Sequence, residues 1–152
     1  MAFIMKKRVD ELRELERLIN YIEGEIRYRH SILSQACLNA GSKTGQPFKE
    51  WLCGLSKTVE EDCDRGFIDI WEDSLKYLKS KSCLNKEDME RLYDLGRTLG
   101  YLDIESQKQG LMLEKENIHN VIQRLDKSLA GNMKLSVVLG TLGGIFIVVI
   151  LV

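Results

Sequence analysis

Proline occurs once in the 152 residues, histidine twice, and neither sign of charge prevails. Each scarcity removes a class of protein. With a single proline, helices meet almost no obligatory break, and the residues ahead of position 135 are rich in Leu, Glu, Lys and Arg, which favours an all-helical domain. His30 and His119 stand 89 residues apart. They leave no credible Ser/His/Asp set, metal-ligand cluster or general-base pair, and no dinucleotide fingerprint or cofactor site accompanies them. Cys37, Cys53, Cys63 and Cys83 include no Cys-x-x-Cys and no Cys/His pairing at zinc spacing. Their even number would suit two disulfides in an exported domain. Their places on or beside apolar helix faces favour small reduced hydrophobes in a cytosolic one. A net charge of −1 gives no overall pull towards nucleic acid or anionic lipid. No secretory signal opens the chain, since Ala2-Phe3-Ile4 is too short an apolar run.

Charge is missing altogether from Leu135 to Val152, where Ser136 and Thr141 are the only polar side chains. Eighteen residues at ~1.5 Å each make a helix of roughly 27 Å, about the thickness of a bilayer's hydrocarbon core. The run is apolar on every side, whereas a buried core helix at a chain end keeps a polar face. The sequence therefore predicts a transmembrane helix over 135–152, carrying a soluble helical domain over 8–134. Lys127 and Lys134 on the soluble side favour a cytoplasmic domain. Within the apolar run, Gly140 and Gly144 form a GxxxG beside Gly143, which permits close helix–helix contact in lipid.

Periodicity divides the soluble part into six helices, expected to pack as an antiparallel bundle. Val9, Leu12, Leu15, Leu18, Ile19, Ile22 and Ile26 give the first helix, from near Arg8, one apolar stripe. Glu23–Arg27 and Glu25–Arg29 are acid-first i,i+4 pairs, each contributing ~0.2–0.5 kcal/mol. The stripe also admits a membrane-proximal coiled coil, but the strict repeat stops at Ile26. Ser31 can cap a second helix through Ile32, Leu33, Ala36, Cys37 and Ala40. Gly41 to Gly45 read as a loop; GSKTG lacks phosphate-loop spacing and a preceding strand. Pro47 suits the first position of a third helix with Phe48, Leu52, Leu55 and Val59 inward and Trp51 beside them. The fourth turns Phe67, Ile70, Trp71, Leu75 and Leu78 inward, and each tryptophan can bury about 200 Å² of core. Asn85 and Asp88 form a capping-box variant ahead of Met89, Leu92, Leu95 and Leu99. The sixth helix is long, with Ile104, Leu111, Ile118, Ile122, Leu125 and Leu129 on its buried face; His119 stands isolated, and Gly131-Asn132 loosens the helix before the apolar run.

The densest local pattern outside the tail runs from Leu95 to Gln107. Gly96, inside a helix, costs ~1 kcal/mol against alanine and calls for a close helix approach in return. Gly100 suits a left-handed helix end. Asp103 can cap the next helix through the backbone near Ser106. Tyr101-Leu102 form a turn short enough to force an antiparallel hairpin, and Gln107 can reach back across it. These roles are architectural, with Asp103 and Gln107 also open to a partner contact. An adaptor or sensor anchored by its tail is the alternative that these features leave standing.

The run ELRELERLINYIEGEIRYRHSILSQA, the FKEWL segment, the tryptophan in IDIWEDSLK, LGRTLGYLDIESQ and the GTLGGIFIVVILV end closely resemble the stage III sporulation protein AB family of endospore-forming bacteria. The most specific part is LGxxLGxxDxxxQ, carried by Leu95, Gly96, Leu99, Gly100, Asp103 and Gln107. Two departures stand out. Family members usually begin with a membrane helix, of which residues 1–7 look like a remnant, left by truncation or a late start. They also commonly carry Thr-Pro-Leu where this chain has Ser31-Ile32-Leu33. The resemblance implies a non-enzymatic platform component, without cofactor, of the channel between mother cell and forespore. It is similar to the inner-membrane platform protein of type II secretion. It would sit in the mother-cell membrane around the forespore, its helical domain cytoplasmic. Its implied partners are a secretion-type ATPase and other proteins of the same operon, membrane lipid, and a further copy of itself.

Overall fold

A computed structural model describes residues 2–29, 32–100 and 103–151, and six α-helices account for most of them. They are α1 (Ala2–Tyr28), α2 (Leu33–Ser42), α3 (Phe48–Glu61), α4 (Phe67–Lys81), α5 (Lys86–Leu99) and α6 (Ile104–Leu151). Each packs on its neighbour in sequence, and α1 closes the ring against α6. The result is the six-helix antiparallel bundle with a long apolar final helix that the periodicity predicts.

The apolar stripe of α1 is the seam of the core: Val9, Leu12, Leu15, Leu18, Ile19, Ile22 and Ile26 are all buried. That stripe is spent inside the bundle, which leaves no exposed seam for a free parallel coiled coil. Polar contacts set the register of α1 on α6. Arg13 pairs both oxygens of Asp126 at 2.8 and 2.7 Å, His119 Nδ1 lies 3.1 Å from Glu16, and Lys115 donates to Asn20 at 3.0 Å. Later residues of α1 thus meet earlier residues of α6, and the two run antiparallel.

The tryptophans form the second centre of packing. Trp51 and Trp71 meet edge to face at 5.0 Å, with Phe48 and Phe67 on their flanks. Both indole nitrogens are satisfied: Trp71 donates to the Leu92 carbonyl at 2.8 Å and Trp51 to Ser74 at 2.9 Å. The Asn85–Asp88 capping box is present in both directions.

Several expectations need correction. Helix α1 starts at Ala2, not near Arg8. Pro47 is the N-cap of α3 and not its first helical residue. Ile104 is exposed, so the buried face of α6 begins at Leu111. Gly131-Asn132 does not loosen α6, which runs unbroken for 48 residues, about 72 Å. A glycine costs a helix only about 1 kcal/mol, too little to outweigh continuous helix on both sides. Ser31 and the Tyr101-Leu102 turn lie outside the described residues.

Two glycines within helices test this packing. A Cβ on Gly96 would lie 2.2 Å from the Trp71 ring, whereas one on Gly54 meets nothing within 4 Å. In denaturant unfolding followed by tryptophan fluorescence, Gly96→Ala should lose about 1–3 kcal/mol of stability by overpacking. Gly54→Ala should gain about 0.5–1 kcal/mol.

Candidate functional site

The pattern from Leu95 to Gln107 builds the corner between α5 and α6. Asp103 Oδ2 accepts from the Ser106 backbone at 3.0 Å and from its hydroxyl at 2.7 Å. These bonds stabilise the carboxylate and hold its pKa below the ordinary value, the Ser106 hydroxyl contributing most. Gln107 donates to the Leu99 carbonyl at 2.9 Å, tying the end of α5 to the first turns of α6. Gly96 lets the Trp71 indole lie against the α5 backbone. Gly100 serves a similar end: a Cβ there would sit 2.8 Å from Ile68. Its φ of −73° is right-handed, so it is needed for its small size and not for the left-handed helix end that its position suggested. Gly96, Gly100, Asp103 and Gln107 are thus gathered at one corner, where they cap, tie and allow close approach.

Sequence reasoning missed a third close approach here. A Cβ on Gly110 would lie 2.1 Å from the Thr98 methyl, so α5 and α6 meet nearly backbone to side chain. The available signal was its place three residues after Gln107 and one before buried Leu111, on the face turned to α5.

Gly140 and Gly144 lie far along the same helix and do not meet this corner. Thirty-three residues separate Gln107 from Gly140, about 50 Å of helix. With Thr141, Ile145, Val148 and Val149 they line a shallow groove on an exposed face, and no atom within 4 Å would oppose a Cβ at either glycine. Every described residue from Ala130 onward is exposed, and α6 is long and apolar enough there to cross a membrane.

The opposite end of the bundle holds a polar network with no sequence signal beyond the capping box. Arg8 clasps both oxygens of buried Asp88 at 2.7 and 3.0 Å, so the residue that caps α5 also anchors α1. Glu11 accepts from the Cys83 backbone at 2.7 Å and Glu14 from that of Gly45 at 2.9 Å. Burial pushes the Glu11 carboxyl up, against the lowering effect of the Cys83 bond. Arg8 is held above its usual value by the Asp88 bond. Four free cysteines fit the reduced reading; buried Cys37 has its thiol pushed up to about 12 by desolvation, and Cys63 is exposed. No group of three or more potential metal ligands gathers among the described residues.

These features define a class: a helical bundle stabilised by capping and packing devices, continued without a break into an apolar helix. Comparison with known proteins gives the particular family. The family description "Stage III sporulation protein AB" matches residues 1–152, and the chain belongs to that family. It is 28% identical over 151 residues to the Stage III sporulation protein AB of Bacillus subtilis (strain 168), covering 99% of this chain and 88% of that protein. Its fold is similar to a solved Stage III sporulation protein AB structure at a TM-score of 0.74 and 24% identity, covering 82% of this chain and 97% of that one. The chain is therefore a sporulation protein, from a family not known for enzymes. An adaptor or sensor unrelated to sporulation is overturned by this membership.

The Asp103 cap has a pH signature. A carboxyl whose pKa is depressed on folding adds stability above the unfolded pKa, and that stability is lost as pH falls through the folded value. Asp103→Asn keeps an acceptor for Ser106 but no titrating group. Its thermal stability should therefore fall less steeply than that of the natural protein on acidification below about pH 4. Asp103→Ala should be the less stable of the two variants at neutral pH.

Proposed function

We propose that the protein is a membrane-anchored, non-enzymatic platform component of the channel between mother cell and forespore, docking the secretion-type ATPase of its operon. The observation that carries this reading is the unbroken α6, which is bundle wall at one end and lipid-length apolar helix at the other. A helix without a hinge is suited to passing a displacement of the bundle into the membrane. In this reading Leu135 to Val152 crosses the mother-cell membrane, and Lys127 and Lys134 hold the bundle on the cytoplasmic side. Gly140 and Gly144 then face another span, from a second copy or from another protein of the operon. Asp103 and Gln107 remain the candidate partner contact, here assigned to the ATPase, because Asp103 is exposed and Gln107 ties the start of α6 to the end of α5.

Co-isolation from sporulating cells tests the docking. Full-length protein should resist alkaline extraction from membranes and carry the ATPase with it in mild detergent. A preparation that is membrane-bound yet free of ATPase would remove the docking role. A flexible Gly/Ser insert after Asn132 should leave both properties intact but lower spore yield at least tenfold; normal yield would argue against force transmission through α6. Gly140→Leu with Gly144→Leu should weaken assembly, read by blue native electrophoresis, and leave insertion unchanged.

A further inference from the structure

The net charge of −1 conceals a strong division of charge along the bundle. Residues 60–73, at the α3–α4 turn, carry seven acids against Arg65 alone. Residues 76–86, at the end of α4 and the start of α5, carry four lysines and no acid. The topology puts these stretches at opposite ends. Helix α4 runs from the first to the second, and the Glu11–Cys83 and Arg8–Asp88 bonds fix the second beside the start of α1.

The α1–α6 register then places the lysine-rich end along the molecular axis. Asn20, Glu16 and Arg13 meet Lys115, His119 and Asp126 in turn. Continued at the same rise, residues 6 and 7 come level with about residues 128–133 of α6, just short of the apolar run. Lys7 and Lys81 line one depression with Glu11, Gln46, Pro47 and Glu50, and Lys79 and Lys86 line another with Asn85 and Glu90. Lys6, Lys7, Lys79, Lys81 and Lys134 form no ion pair among the described residues. Lys86 is 92% exposed and only 3.9 Å from Glu90. The buried acids of this end are already engaged, Asp88 by Arg8 and Glu11 by Cys83; of the exposed acids there, Glu50 accepts from the Tyr77 hydroxyl at 2.7 Å, and Glu87 and Glu90 lie at the start of α5. Phe3 and Ile4, 78% and 59% exposed, extend the same end with apolar side chains.

We propose that this end of the bundle docks on the anionic headgroups of the bilayer that α6 enters, with the α2–α3 and α4–α5 loops against the lipid. The inference rests on the spanning reading of α6. Headgroup phosphates meet the lysines within a Debye length of the surface, about 8 Å at physiological salt. The acidic α3–α4 turn is repelled by the same field and points away. The bundle then stands upright on the membrane, held by surface charge as well as by its helix.

Full-length protein reconstituted in phosphatidylcholine vesicles, with or without phosphatidylglycerol, separates the possibilities. Amide hydrogen exchange is measured at residues 43–47, 81–86 and 62–66, and alkaline extraction is run on the same samples. Phosphatidylglycerol should slow exchange several-fold at 43–47 and 81–86 but not at 62–66, and high salt should reverse the effect. Combining Lys79→Glu, Lys81→Glu and Lys86→Glu, all exposed positions, should abolish the protection while extraction stays resistant. Equal exchange in both lipids from alkali-resistant protein overturns the docking and leaves the span intact. Extraction by alkali from both vesicle types overturns the span and the docking with it. Protection in phosphatidylcholine alone that grows with protein concentration overturns it in favour of a second copy's acidic end.

Discussion

The structure depends on the antiparallel seating of α1 against α6. The stripe from Val9 to Ile26 supplies the largest continuous share of the core, and none of it can be left in water without forfeiting roughly 1.5–3 kcal/mol per large side chain. Arg13–Asp126 and Lys115–Asn20 do little for net stability at their half-exposed positions. They select one register, and a helical register error would turn the stripe away from the core. From that register follow the placement of the α2–α3 and α4–α5 loops beside the start of α1, the ring closure, and the height at which α6 leaves the protein.

Local physics made most of the helices legible. Stripes at three- and four-residue spacing identified the buried faces of α1, α3, α4 and α5. Asn85 with Asp88 and Asp103 with Ser106 bond within three residues, so their spacing alone implied the caps. What stayed hidden depends on residues far apart in the chain. Arg8 finds Asp88 across 80 positions, and Glu11 finds Cys83 across 72. Nothing in either neighbourhood marks the other. Gly110 carries its reason, Thr98, on the facing helix, 12 positions away. Gly100 was legible as necessary but not for its cause: steric contact with Ile68 and left-handed backbone both demand glycine, and only coordinates separate them.

The candidate site has the same character. The pattern that carries the family resemblance spends its glycines on close approach and its polar residues on a helix start and a helix end. Averaging charge over the whole chain, however, erased an asymmetry that the fold restores by sorting acids and lysines to opposite ends.

Ring closure between the first and last helices has a consequence for synthesis. The stripe of α1 emerges from the ribosome early, while its facing partner, from Leu111 to Leu129, emerges some eighty residues or more later. Until then the half-made bundle exposes apolar surface, the condition under which chains aggregate or recruit chaperones. Once the bundle part of α6 is made, as far as Leu129, its own apolar end follows within a few residues. Completion of the bundle and emergence of the apolar end therefore fall almost together, and a delay in either would leave hydrophobic surface exposed in the other.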